Sequence, residues 1–126
     1  ENPAARDQPA ALARFGVLMS KADTYDPLPH QSECLGVQGS VYEKVWREAA
    51  ELRSSGRLLS LGEKIRCPVV AIHGEYDPHP FEGVRDPLSR ILKDFRLILL
   101  EKSGHEPWFE RAAKDGFYIT LKDELD

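Results

Sequence analysis

The chain has 126 residues and a formal net charge of −4, with 41% hydrophobic and 30% charged residues. This composition is typical of one globular domain and argues against wholesale disorder. No apolar run approaches the roughly 18 residues of a membrane helix. The basic residues are scattered among acidic ones rather than clustered as on a nucleic-acid-binding face. We therefore expect neither a membrane nor a nucleic acid as a partner.

The chain is expected to divide into residues 1–62 and 63–126. In the first part, apolar residues at three- and four-residue spacing predict an amphipathic helix over 9–20. Prolines and glycines over 22–39 predict a loop. In the second part, strand and helix patterns alternate, which favours an α/β fold.

A second helix is predicted over 41–55. It follows a capping box, Ser40-Val41-Tyr42-Glu43, whose first and last side chains can bond each other's backbone amides. Gly56 is a suitable stop. The helix carries one apolar stripe, formed by Val41, Val45, Ala49 and Leu52.

Two short apolar runs predict parallel strands. Val69–Ile72 and Leu97–Leu100 do not alternate with polar residues, as expected for strands buried on both faces. Asp86-Pro87 between them predicts a helix N-cap and first helical position. That helix should bury a face formed by Leu88, Ile91, Leu92 and Phe95.

A last helix is predicted from Pro107, with a break possible at Gly116. Two parallel strands and four helices cannot cover both faces and both edges of such a sheet. We therefore expect further strands, either from a missing N-terminal portion or from another copy of the chain, and self-association of the isolated chain. Glu1 in place of Met, with no signal-peptide pattern after it, also favours a fragment.

The two cysteines, Cys34 and Cys67, have neither disulfide-framework nor zinc-finger spacing. Cys67 precedes an apolar run, so we expect a buried free thiol there. This cysteine usage favours a reducing, cytoplasmic compartment.

Chemistry-bearing residues follow both strands. The carboxyl ends of parallel strands share one edge of the sheet, so Asp77 and His105 are expected to meet there. An Asp held against a His fixes the imidazole tautomer and stabilises the imidazolium formed during proton transfer, as acyl transfer requires. Gly74 and Gly104 would permit the sharp exits that bring the two side chains together.

Residues 60–126 resemble the C-terminal end of an α/β-hydrolase. The similarity rests on a strand followed by Gly74-Glu75-Tyr76-Asp77, then a strand followed by Ser103-Gly104-His105-Glu106-Pro107-Trp108. The resemblance implies that Asp77 is the acid and His105 the general base of a catalytic triad. It further implies that residues 1–62 are the remnant of a helical cap, and it implies neither a cofactor nor a metal.

The family's nucleophile is missing from the sequence. In α/β-hydrolases it lies in a Gly-x-Ser-x-Gly elbow upstream of the acid, and no serine here has glycines two positions away on both sides. We therefore expect the C-terminal fragment of a serine hydrolase that acts on an ester or related acyl bond of a small-molecule substrate. The alternative is a non-catalytic domain of this fold, used for ligand binding or self-association.

Other roles for the residues of these loops are less favoured. Aromatic residues near the strand ends are interpreted as pocket wall or core: Tyr76, Phe81 and Trp108. His73, Asp77 and His79, completed by His105-Glu106, offer metal ligands, but their spacing matches no zinc signature. A His73 side chain satisfied inside the sheet is the preferred interpretation.

Overall fold

The structure is a computed structural model that describes residues 4–29 and 39–126. Within these ranges it is a mixture of helices and one small parallel sheet. No described helix is both long and apolar enough to cross a membrane. In chain order the elements are α1 (Ala4–Ala22), α2 (Gly39–Ser54), α3 (Arg57–Ser60), β1 (Val69–Gly74), α4 (Glu82–Ile91), β2 (Phe95–Leu100) and α5 (Lys114–Leu125), with 3-10 turns at Leu61–Lys64 and Pro107–Phe109.

The sheet consists of β1 and β2, paired in parallel. The register runs from Val69 opposite Phe95 to Gly74 opposite Leu100, and α4 lies between the two strands in the chain. The predicted strand–helix–strand unit is therefore confirmed, with β2 beginning two residues before the predicted start at Leu97. A parallel pair brings both C-terminal loops to one edge of the sheet.

The predicted burial of both strand faces is wrong for the described residues. Most residues of β1 and β2 are half-buried, and Leu99 is exposed. The reason is that the described sheet has two strands, so each strand has one edge without a neighbouring strand. The buried hydrophobic side chains of the described residues are Leu92 and Ala113.

Both predicted N-terminal helices are present, although α1 begins at Ala4, five residues before the predicted start. The described part of the loop, residues 23–29, contains no helix; Cys34 lies outside the described residues. Because α2 begins at Gly39, Ser40 lies inside the first turn, and its predicted N-cap role is wrong. Gly56 ends the helix with a φ of 72°, as predicted. The predicted apolar stripe does not enter a core, since its Val41 and Val45 side chains are exposed.

The helix between the strands begins and ends earlier than predicted: it ends at Ile91, and Phe95, predicted for its buried face, is the first residue of β2. The N-cap of the helix is Phe81 rather than Asp86, and Pro87 lies inside the helix. The first turn is closed by backbone bonds that Gly83 and Val84 donate to the carbonyls of residues 80 and 81. Proline cannot donate to the carbonyl four residues earlier, and that carbonyl belongs to an exposed position, where it is accessible to solvent.

The C-terminal helix is interrupted, and not at Gly116. Pro107–Phe109 forms a 3-10 turn, and α5 begins at Lys114. In between, the backbone turns to the N-terminal loop: Glu110 forms a β-bridge with Pro27. These contacts replace the helical hydrogen bonds that the apolar periodicity predicted.

Cys67 is a free but exposed cysteine, so its predicted burial is wrong. It lies between the 3-10 turn that ends at Lys64 and the start of β1. The apolar run that suggested burial begins only at Val69, and that run is itself half-buried.

Candidate functional site

The loops that follow β1 and β2 are joined through their backbones. Glu75 donates its amide to the carbonyl of Leu100 at 2.9 Å, and Tyr76 donates to that of Ser103 at 2.8 Å. A Cβ atom at Gly74 would overlap the carbonyl oxygens of Ser103 and Gly104. This glycine therefore permits close contact between two backbones, and its φ is not positive.

Gly104 also permits close contact between two backbones. A Cβ there would overlap the carbonyl oxygen of Asp23. The neighbouring amide of His105 donates to that same carbonyl at 2.7 Å. The described N-terminal loop thus fixes the backbone that carries His105, and the predicted sharp exits are in fact sites of close backbone approach.

The expected contact between Asp77 and His105 is present. Nδ1 of His105 lies 2.7 Å from Oδ2 of Asp77. An ionised carboxylate only accepts hydrogen bonds, so Nδ1 carries the proton and donates it. The Asp77 side chain is 5% exposed, whereas that of His105 is 53% exposed. The acid is therefore fixed inside the loop cluster, and the imidazole extends from it toward solvent.

A second histidine shares the same carboxylate. His79 donates its backbone amide to Oδ1 of Asp77 at 2.8 Å, and its Nδ1 lies 2.9 Å from the same oxygen. Its side chain is 66% exposed. Both carboxylate oxygens are thus occupied, Oδ1 by His79 and Oδ2 by His105. The Asp77 carboxylate cannot turn without losing hydrogen bonds on both sides.

These contacts shift two pKa values in opposite directions. Burial acts to raise the pKa of Asp77, but the hydrogen bonds from His79 and His105 outweigh it and hold that pKa below its ordinary value. The hydrogen bond to Asp77 raises the pKa of His105, against the effect of burial, and the charges of Asp77, Asp23 and Glu106 add to the rise. The pair therefore favours imidazolium beside carboxylate.

His73 lies against the same cluster. Its Nδ1 is 2.9 Å from the carbonyl oxygen of Gly74, to which it donates. Its Nε2 is 3.6 Å from Oδ2 of Asp77, and the side chain is 10% exposed. The predicted satisfied histidine at the end of the strand is confirmed.

Glu110 was not predicted to take part in the site. Its side chain is fully buried, and three backbone amides donate to it. Oε1 accepts from Tyr25 at 2.7 Å and from Gly104 at 2.9 Å, and Oε2 accepts from Asp26 at 2.8 Å. The carboxylate therefore joins the N-terminal loop to the loop of His105. No sequence signal identified it, because an acidic residue in a predicted helix is usually on the solvated face.

The three aromatic residues predicted as pocket wall have different partners. Tyr76 meets the ring of Tyr25 edge-on, with centroids 5.2 Å apart. Trp108 packs against Phe117 at 5.6 Å. The ring of Phe81 lies under the guanidinium of an arginine one helical turn away. Tyr76 is adjacent to Asp77 in the chain, and a role in a substrate pocket stays a prediction for all three.

The side chains around Asp77 can do two kinds of chemistry. The acid–imidazole pair can move a proton at Nε2 of His105, and no hydroxyl of the described residues is hydrogen-bonded to that atom. The ligand atoms of Asp77, His79 and His105 also lie within 4.8 Å of one another, close enough to hold a metal ion.

Searches found no family model, curated protein or solved structure that matches the chain. The resemblance to α/β-hydrolases therefore rests on the residues themselves.

Proposed function

We propose that the chain is the C-terminal part of a serine hydrolase of the α/β-hydrolase type, which cleaves an ester or related acyl bond. The observation that supports this proposal is the 2.7 Å contact between Nδ1 of His105 and a nearly buried Asp77 carboxylate. The two residues follow neighbouring parallel strands in the order acid then base, as in that family.

In this mechanism Asp77 keeps the proton of His105 on Nδ1, so that Nε2 is the free base. Nε2 takes the proton of a serine hydroxyl supplied by a part of the enzyme outside this sequence, while the hydroxyl oxygen attacks the acyl carbon. The imidazolium then returns the proton to the leaving alcohol, and water releases the acyl group by the same steps. The raised pKa of His105 makes it a stronger base for the first step.

The fold assignment is part of the proposal. A two-stranded parallel sheet with open edges is what the last two strands of a larger sheet would look like when described alone. Residues 1–62 would belong to a helical cap. Cysteine usage without a disulfide pattern favours the cytoplasm as the location of the complete enzyme.

The proposal is tested by producing this chain together with the polypeptide encoded directly upstream of Glu1. We expect that polypeptide to carry a Gly-x-Ser-x-Gly elbow, to react with a fluorophosphonate at that serine, and to hydrolyse p-nitrophenyl esters. Asp77→Asn should lower kcat by about 10⁴ and His105→Ala by about 10⁶, while Glu101→Gln, at an exposed position, should not. A natural chain without such a nucleophile, or full activity in His105→Ala, would refute the proposal.

A non-catalytic domain that associates with itself is the second candidate. It is favoured by exposed apolar side chains on the N-terminal helices of the described chain, among them Phe15, Leu18, Val45 and Trp46. This candidate predicts dimers or larger species of the isolated chain and no hydrolysis when the upstream polypeptide is present. Esterase activity that depends on His105 would exclude it.

A further inference from the structure

We propose that Asp77, His79 and His105 form a binding site for a divalent transition-metal ion of the Zn²⁺ type. The three side chains supply one carboxylate oxygen and two imidazole nitrogens, all within 4.8 Å of one another. Two histidines and one carboxylate are a ligand set that Zn²⁺ accepts, with water in the fourth position. The proposal is independent of the hydrolase proposal, because it needs no atom from outside this chain.

The imidazoles of His79 and His105 both direct a ring nitrogen at the Asp77 carboxylate. Nδ1 of His79 is 2.9 Å from Oδ1, and Nδ1 of His105 is 2.7 Å from Oδ2 of the same Asp77 carboxylate. Both imidazoles therefore direct the same ring atom at one carboxylate. A metal ion bound by one Asp77 oxygen and both Nδ1 atoms takes the place of these two hydrogen bonds, and the proton of each neutral ring moves from Nδ1 to Nε2.

The movement required is small. Metal–ligand bonds of about 2.0–2.1 Å in a tetrahedral site place the ligand atoms ~3.3 Å from one another. The three ligand atoms lie within 4.8 Å of one another, so the widest of their separations has to close by no more than ~1.5 Å. The His79 and His105 rings are 66% and 53% exposed and their centroids are 5.3 Å apart, so they can rotate without displacing buried groups.

The surrounding charge favours a cation. The carboxylates of Asp77, Asp23 and Glu106 are all close enough to act electrostatically on His105, so negative charge surrounds the proposed site. His73 is a poorer ligand: its Nδ1 donates to the carbonyl of Gly74, and its Nε2 is 3.6 Å from the carboxylate. The spacing of the three proposed ligands along the chain matches no known zinc motif, because the sheet rather than a local turn brings His105 to the other two.

Calorimetric titration of the untagged chain with Zn²⁺ alone tests the site. We expect one ion per chain, with affinity falling at acid pH because ligating histidines must lose their protons. His79→Ala and His105→Ala should each weaken binding by more than about 100-fold, because loss of an outer-shell partner alone costs about 10–100-fold. In proton NMR spectra the ions should shift the ring signals of His79 and His105 more than that of His73.

Matched controls separate this site from adventitious binding. Cys67→Ser removes an exposed free thiol that also binds Zn²⁺, and His30→Ala removes one histidine outside the described ranges. Both controls should bind Zn²⁺ as the parent chain does. Circular dichroism confirms that each variant is folded. Absence of binding, binding unchanged in His79→Ala, or binding lost in Cys67→Ser would each overturn the proposal, whatever the outcome of the esterase test.

Discussion

Replacing Glu110 by Ala should be one of the most destabilising single changes in the chain. The carboxylate is fully buried and accepts from the amides of Tyr25, Asp26 and Gly104. A hydrogen bond to a charged acceptor contributes about 1.5–3 kcal/mol, and a buried donor left unpaired costs about 1–3 kcal/mol. The Gly104 amide is buried, and water cannot readily reach it.

The expected loss is about 3–5 kcal/mol in the free energy of unfolding. The largest share, about 2–3 kcal/mol, comes from the buried Gly104 amide, and the part-buried amides of Tyr25 and Asp26 add about 0.5–1 kcal/mol each because water partly replaces the carboxylate. Such a loss is a large fraction of the ordinary 5–15 kcal/mol stability of a domain. Glu110→Gln keeps one acceptor oxygen but places an NH₂ group against backbone donors, so an intermediate loss is expected.

Urea unfolding followed by circular dichroism measures the change, with Glu101→Ala at an exposed position as the control. Hydrogen exchange adds a local test: the amides of Tyr25, Asp26 and Gly104 should lose protection selectively in Glu110→Gln. A loss below about 1 kcal/mol in Glu110→Ala, or the same loss in Glu101→Ala, would show that the buried carboxylate is not a structural link.

Three further predictions concern pH, close backbone contact and association. The lowered pKa of Asp77 stabilises the fold above its unfolded value of about 3.9, and the raised pKa of His105 stabilises it below its unfolded value of about 6.5. The difference in unfolding free energy between the parent chain and His105→Gln should therefore be largest between about pH 4 and 6.5. It should decline as the pH rises through the folded pKa of His105, and a pH-independent difference would contradict the linkage. Gly74→Ala should destabilise the chain by more than about 2 kcal/mol because its Cβ would overlap backbone carbonyls. Gly116→Ala, with open space around the site in α5, should instead stabilise it by about 1 kcal/mol in thermal or urea unfolding; equal effects would refute the steric argument. Light scattering at tens of micromolar should find self-association of the isolated chain, and a clean monomer would count against exposed strand edges and helix faces as association surfaces.

The sheet and the meeting of Asp77 with His105 were predictable because both depend on short-range patterns. An apolar run bounded by Pro68 and Gly74 specifies a strand, and parallel pairing places the loops after two such strands at the same edge. The contact between the acid and the imidazole then follows from topology alone.

Features that depend on pairing between distant segments were not predictable. The helix predicted from Pro107 is interrupted because Glu110 is drawn into a bridge with Pro27, and that partner lies in a loop with no regular period. Burial of the strands likewise depends on which other segments pack against them. The apolar runs of β1 and β2 predicted strands buried on both faces, whereas most of their residues are half-buried in the described chain.

The start of α4 shows a local conflict of another kind. Asp86-Pro87 is a strong start signal by itself, but helical bonding already begins at Glu82 after Phe81. Proline is tolerated inside because the carbonyl it leaves free is at the exposed Gly83. A helix-start signal in the sequence therefore indicates a possible N-terminus of a helix but does not decide where the helix begins.

The two proposed uses of Asp77 exclude each other, and this gives a last prediction. Nδ1 of His105 cannot both donate a proton to Oδ2 of Asp77 and bind a metal ion. If the chain serves the proposed hydrolase, Zn²⁺ should therefore inhibit ester hydrolysis, because it removes the hydrogen bond that orients the base. His79 is a proposed metal ligand, and it bonds Oδ1 of Asp77 whereas His105 bonds Oδ2. His79→Ala should therefore raise the inhibitory Zn²⁺ concentration by more than about 100-fold.

Initial rates at increasing Zn²⁺, with and without a chelator, measure this inhibition. It should be reversible and should weaken at acid pH, where protons compete with the metal for the imidazoles. Inhibition of equal strength in the parent enzyme and in His79→Ala would place the inhibitory ion elsewhere. Activity that persists when calorimetry shows Zn²⁺ bound at His79 and His105 would mean that the base does not need its hydrogen bond to Asp77, and the proposed mechanism would then be wrong.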